Sequence, residues 1–279
     1  MNLLPMTQRR GVLKFIYAAA LMLATIARSE VTSFPITPSA TDPAIKKFDS
    51  PHYVYVDRNI VVEKNGHDRH ELLLFLTGTG GKGAGAKAFC TLAAELGYHV
   101  INLMYPDDIP ATICGRDGDP KAYEEFRMAI VQGGSSPHIT ITRSDSIENR
   151  LVKALNLLKQ KRPREEWAQF LEADGRTIKW ETIAVAGQSQ GGGHAALIGI
   201  KHRVARVIAT GAPKDYSVKL DAPAAWLGEE SATPASCFFT FNHLQDIKGA
   251  TYEQLLKNMA ALKIDALGAP VDAATEPYP

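Results

Sequence analysis

Cysteine is nearly absent from this 279-residue chain: Cys90, Cys114 and Cys237 are all it has. Three thiols close at most one internal disulfide. That excludes a small scaffold stapled by several bridges and leaves a hydrophobic core to hold the fold. Cys90 falls in a stretch that reads as helix and Cys237 in one that reads as strand, so both are expected as small buried hydrophobes rather than bridge partners. Charge of one sign is lacking too, since 31 basic residues face 30 acidic ones. Such a balance offers no electrostatic footprint for nucleic acid or an anionic lipid surface. The apolar run from Phe15 to Ala27 falls short of the about 20 residues a membrane span needs. The Gly81-Lys82 pair is followed by Gly83, not by the Ser or Thr of a phosphate-binding loop, and His70-Glu71 has no second His to complete a zinc-protease helix. No metal and no cofactor are expected, and no internal repeat is visible.

What is present begins with a leader. Arg9 and Arg10 precede the apolar run, and small residues follow it, the arrangement of an export signal over residues 1–29. Thr7 to Lys14 also resembles a twin-arginine signal, so a periplasmic or secreted location is expected by either that route or the general secretory one. Removing the leader takes Arg9, Arg10, Lys14 and Arg28, leaving 27 basic against 30 acidic residues, about −3, with no stable membrane span. Residues 30–51 are rich in Ser, Thr and Pro without periodicity and read as a linker. Residues 52–279 read as one α/β domain.

Within that domain strands and helices alternate. "HYVYV", "NIVVEK" and the almost continuous apolar run "ELLLFLTG" read as strands, the last one buried on both faces. Ala84 to Leu96 reads as a helix, "YHVINLMY" as a strand, and Ser146 to Lys159 as a helix with Asp145 and Glu148 at its start. Beyond Arg162 come a short helix in "EEWAQFL", a strand in "ETIAVAG", a helix from Gln190 to Ile200, strands in "VARVIAT" and "ASCFFTFN", and a helix from Thr251 to Leu262. Alternation of this kind gives a mostly parallel sheet with helices on both faces. The segment from Pro213 to Pro234, carrying Trp226, reads either as a pocket wall or lid or as a plain surface excursion.

The stretch Gly187-Gln188-Ser189-Gln190-Gly191 fits G-x-S-x-G, with a buried strand running in and a helix running out. A sharp strand-to-helix turn strains the serine backbone and leaves no room for side chains at the flanking positions. It also lifts the hydroxyl to the sheet edge, where the free N–H groups of the next helix can meet a developing negative charge. "LFLTGTGGKGAGAK" follows an earlier buried strand, where such a site needs a second backbone donor.

On "GQSQGG" and "TGTGG" the chain resembles the α/β-hydrolase family over about Glu71 to Leu262, and "GQSQGGGHAALIG" resembles an exported serine-hydrolase branch of it. The resemblance implies Ser189 as nucleophile and the N–H groups of Gln190 and Thr79 as oxyanion donors, with Gly80 the alternative to Thr79. It implies Asp246 as the acid, with Asp215 the alternative, and an acyl-enzyme route on a small-molecule or lipid-like ester. The family's base would follow the acid, but none of His52, His67, His70, His99, His138, His194, His202 and His243 lies beyond Asp246. His243 is expected beside the acid, in a supporting position or lining the pocket. The chain is accordingly expected to be C-terminally incomplete or to depart from the pattern, lacking the last strand and helix. Two readings stand: a serine hydrolase whose activity is in question for want of that histidine, and a catalytically silent domain that binds a ligand or partner in the same pocket.

Overall fold

The computed structural model describes residues 30–272; the expected export signal lies outside them. In chain order the main elements are β1 (Val31–Ile36), β2 (His52–Asp57), β3 (Leu72–Leu76), α1 (Lys87–Glu95), β4 (His99–Leu103), α2 (Ala122–Gln132) and α3 (Ile147–Lys161). They are followed by β5 (Ile183–Gln188), α4 (Gln190–Lys201), β6 (Arg206–Thr210), β7 (Phe238–Phe241) and α5 (Tyr252–Ala261). The seven strands form one sheet in the order β1-β2-β4-β3-β5-β6-β7. β2 runs antiparallel to β1 and to β4, and every pairing from β4 through β7 is parallel.

The central strands are those whose sequences cannot face water. All five residues of β3 are buried, and alternation divides them. Leu73 and Phe75 pack with Cys90, Ala93 and Ala94 of α1 on one face. Leu72, Leu74 and Leu76 join the larger core beneath α2, α3 and α4 on the other. Each fully buried Leu contributes about 1.5–3 kcal/mol, so this strand anchors both layers. The result is the mostly parallel α/β sheet with helices on both faces expected from the α/β-hydrolase resemblance. No helix among the described residues is long and apolar enough to cross a membrane.

Several expectations need correction. The segment read as a linker is part of the fold: Val31–Ile36 pairs with β2 along its whole length. Lys46 and Lys47 donate their N–H groups to Asp145 Oδ1, each at 3.0 Å, while the Arg150 guanidinium holds the carbonyls of Lys47 and Phe48. Asp145 is therefore a clasp, and Ser146 caps α3 by accepting from Asn149 N–H at 3.3 Å. "NIVVEK" is not a strand. Asp57 Oδ1 accepts from Asn59 N–H at 3.0 Å and starts a helical turn over Arg58–Val61, because a side-chain acceptor at that point outcompetes the ladder. "EEWAQFL" forms two 3₁₀ turns, Pro163–Glu165 and Trp167–Phe170, and Cys237 ends a 3₁₀ turn just before β7. α2 has no counterpart in the sequence reading. The segment from Pro213 to Pro234 is a packed wall: Trp226 is fully buried and Tyr216–Ser217 pairs with Ala222–Pro223.

Candidate active site

Ser189 sits where β5 ends and α4 begins. Its backbone has φ 53° and ψ −118°, a region costing a non-glycine residue of order 1–3 kcal/mol. The surroundings hold it there. Its N–H donates to the Thr210 carbonyl at the end of β6, 2.8 Å away, and its carbonyl accepts from Gly193 N–H at 3.1 Å. A Cβ on Gly187 would collide with the backbone of Gly191, and one on Gly191 would collide with the carbonyls of Leu76 and Thr77. Close packing at these two glycines lets α4 start directly above the end of β3.

That contact brings the two loops together. Leu76 pairs with Gly187 across the sheet, so the turn after β3 and the turn after β5 leave the same edge side by side. A Cβ on Gly78 would lie 3.2 Å from Ser189 Cβ. Thr79 Oγ1 donates to Gln190 Oε1 at 2.9 Å, and the same oxygen accepts from Ala111 N–H at 2.8 Å. Gly80 N–H is committed to the Asp107 carbonyl at 3.0 Å. Among the described residues no acceptor engages the N–H of Thr79 or of Gln190, the first residue of α4, so of Thr79 and Gly80 it is Thr79 that retains a donor.

Beneath this loop Asp107, 3% exposed, accepts from Thr77 Oγ1 at 3.2 Å. Burial raises its carboxyl to about 6, against the pull of the Thr77 hydroxyl. Tyr105 donates its hydroxyl to the Thr77 carbonyl at 2.6 Å. The loop is thus fixed from below on both sides of Gly78.

Ser189 opens onto a cavity of about 200 Å³ whose walls include Thr79, Ala111, Arg127, Gln190, Lys214 and Asp215. Arg127 and Asp215, each 1% exposed, form a forked pair: Nε to Oδ2 at 2.6 Å and Nη2 to Oδ1 at 2.5 Å. Arg127 Nη1 also donates to the Gln190 carbonyl at 2.9 Å, and Trp226 Nε1 donates to Asp215 Oδ2 at 3.0 Å. Burial works against charge on Arg127, but the Asp215 carboxylate prevails and holds its pKa above the ordinary value. Asp215 lines the cavity, yet both its oxygens are spent on structure.

Asp246 lies in the loop after β7, its Oδ2 3.3 Å from where a Cβ on Gly211 would stand. Its partner is Lys214, whose Nζ donates to Oδ2 at 2.7 Å and to the Lys248 carbonyl at 2.8 Å. That ammonium keeps the Asp246 carboxyl below its usual value, in spite of some burial. His243 is exposed, and its Nδ1 accepts from Gln245 N–H at 3.1 Å within its own loop. His194, five residues into the helix after Ser189, is fully buried edge-on to Tyr105; burial and then Arg127 push its pKa well below the ordinary value. Ser189, Gln190 and Thr79 therefore converge on one cavity, with Asp246 two strands further along the edge and His243 not among the lining residues. Among the described residues no histidine lines the cavity.

Arg127 and Lys214 are the site residues that sequence reasoning missed. A signal for Arg127 existed. It stands four residues after Tyr123 and three before Ile130, on the apolar face of α2, where a charged residue needs a buried partner.

Neither a family model nor a curated protein sequence matches the chain. Similar solved structures include an S-formylglutathione hydrolase from Agrobacterium tumefaciens, 15% identical, covering 84% of this chain and 82% of that one with a TM-score of 0.43. A thermophilic esterase from Thermogutta terrifontis is 13% identical over 83% of this chain and 77% of its own, TM-score 0.43. An inhibited esterase B from Lactobacillus rhamnosis is 13% identical over 68% of this chain, TM-score 0.37, and the chain spans only 51% of its length.

Proposed function

We propose that the chain is a serine hydrolase that cleaves an ester-type carbonyl through an acyl-enzyme at Ser189. The observation that carries this reading is the backbone of Ser189, held at φ 53° and ψ −118° over a cavity that Thr79 and Gln190 also line, with no acceptor for either N–H among the described residues. In the reaction Ser189 Oγ adds to the acyl carbon while its proton passes to a base. The carbonyl oxygen, now negative, meets the N–H groups of Gln190 and Thr79. The alkoxide leaves with that proton, and water then attacks the acyl-enzyme to release the acid. Asp246, close to Gly211 and ionised by Lys214, is the acid this reading would use to orient a base. A cavity of about 200 Å³ with Lys214 on its wall suits a small ester better than a long lipid chain.

A second reading, a catalytically silent domain that binds a ligand in the same cavity, is favoured by a specific observation. No histidine lines the cavity among the described residues, and Asp246 is already paired with Lys214. A fluorophosphonate probe separates the two. Labelling of the full chain that disappears in Ser189→Ala supports the hydrolase; no labelling, together with no turnover of a simple aryl ester, leaves the silent domain. Export to the periplasm or medium belongs to the same proposal, on the strength of Arg9, Arg10 and the apolar run after them. N-terminal sequencing of the exported protein checks it, since a product beginning at Met1 overturns it.

A further inference from the structure

Away from Ser189, a sulfur, a nitrogen and an oxygen from three separate side chains meet. Cys114 and Asp117 occupy and follow the 3₁₀ turn Ala111–Arg116, and a spacing of three places their side chains on the same side of such a turn. His138 stands between the paired segments Gly134–Ser135 and Thr140–Ile141, in a tight turn closed by Ser136 N–H donating to the Ile139 carbonyl at 2.8 Å. One donor atom from each of Cys114, Asp117 and His138 lies within 4.8 Å of the other two. His138 Nε2 is 2.6 Å from Asp117 Oδ2.

We propose that Cys114, Asp117 and His138 form a binding site for a divalent zinc ion, with the fourth position open to water. Around tetrahedral zinc, with bonds of about 2.0–2.3 Å, ligand atoms sit roughly 3.3–3.7 Å apart. Asp117 and His138 would have to part by about 1 Å to meet that spacing, and Cys114 already stands within 4.8 Å of both. The donor set selects the ion: thiolate with imidazole and carboxylate suits zinc and excludes calcium and magnesium, which want oxygen alone. Access is arranged to match. Cys114 is 1% exposed, too deep to act as a nucleophile on a substrate, whereas the side chains of Asp117 and His138 are 26% and 20% exposed and give an ion a route in. A plain Asp–His pair would need no sulfur behind it.

The site has a consequence for the cavity. Ala111, in the same turn as Cys114, donates to Gln190 Oε1 and lines the wall beside Ser189. An ion would clamp that wall to the turn carrying His138. The site stands whether or not Ser189 is catalytic.

The test uses the full chain freed of metal with a chelator and titrated with Co²⁺, followed by Zn²⁺. One equivalent of Co²⁺ should produce a near-ultraviolet thiolate-to-cobalt band, which Zn²⁺ then abolishes. Cys114→Ser should remove the band. Asp117→Asn and His138→Gln, at partly exposed side chains, should each weaken Co²⁺ binding beyond the about 10–100-fold seen when an outer-shell partner is lost. His70→Gln, in the exposed Asp68, His70 and Glu166 group, should leave the titration unchanged. The proposal is overturned by absence of the band, by its persistence in Cys114→Ser, or by unaltered affinity in both Asp117→Asn and His138→Gln.

Discussion

The two flanks of Ser189 are built differently. On the β3 side, the loop Thr77–Gly81 rests on buried Asp107 and Tyr105, and Gln190 is tied by its side chain to Thr79 and Ala111 and by its carbonyl to Arg127. On the β7 side, Asp246 hangs from an edge strand whose Phe239 and Phe241 are 53% and 60% exposed, followed by Leu244 and Ile247 at 65% and 73%. The β3 side is thus part of the core. The Asp246 side is a surface loop tied by Lys214 to Asp246 and to the Lys248 carbonyl and by a few bonds within itself. If Ser189 acts as proposed, the firmer flank is the one where charge would develop, and preorganised donors are useful only when they do not move.

Five substitutions can break or sharpen that contrast. Arg127→Met leaves the Asp215 carboxylate buried without its cation, so urea unfolding should show a loss of about 3–5 kcal/mol; a loss below about 1 kcal/mol would dissolve the distinction. The Asp107 carboxyl, raised to about 6 from 3.8, resists ionisation in the fold, so its stabilising effect is complete at pH 3 and lost as pH rises through 6. Asp107→Asn should accordingly match wild type at pH 3 and exceed it by roughly 2–3 kcal/mol at pH 8. The difference between the two melting curves isolates this group from the buried His52, which burial lowers to about 3 and whose effect runs oppositely, destabilising as pH falls below 6.5.

Gln190→Ala deprives Ala111 N–H and Thr79 Oγ1–H of their acceptor and should cost about 1–3 kcal/mol. Ser189→Gly removes the backbone strain and should raise stability by about 1 kcal/mol, while abolishing any fluorophosphonate label. Asp246→Asn, breaking a partly exposed pair, should change stability by less than about 1 kcal/mol. Denaturant midpoints for these last three set the order: an Asp246→Asn loss larger than that of Gln190→Ala would reverse the picture of the flanks.

The same contrast explains what could be read in the sequence. β3, β4 and β5 were legible because strands buried on both faces need uninterrupted apolar residues, and the turn at Ser189 because its glycines answer to backbone collisions. β1 was not, since an edge strand shielded on one side tolerates the Ser, Thr and Pro of Val31–Ile36. The pairing of Arg127 with Asp215, 88 residues apart, leaves no trace in local periodicity. The cluster of Cys114, Asp117 and His138 was invisible for the same reason: His138 meets Cys114 and Asp117 only once the chain has folded.

The conformation at position 189 bears on the stability of the whole chain. Glycine is the one residue that occupies φ 53°, ψ −118° without penalty, so a chain with no use for a hydroxyl there would be more stable with glycine in its place. The stability gained on Ser189→Gly is then the measure of what the hydroxyl at this position costs the fold.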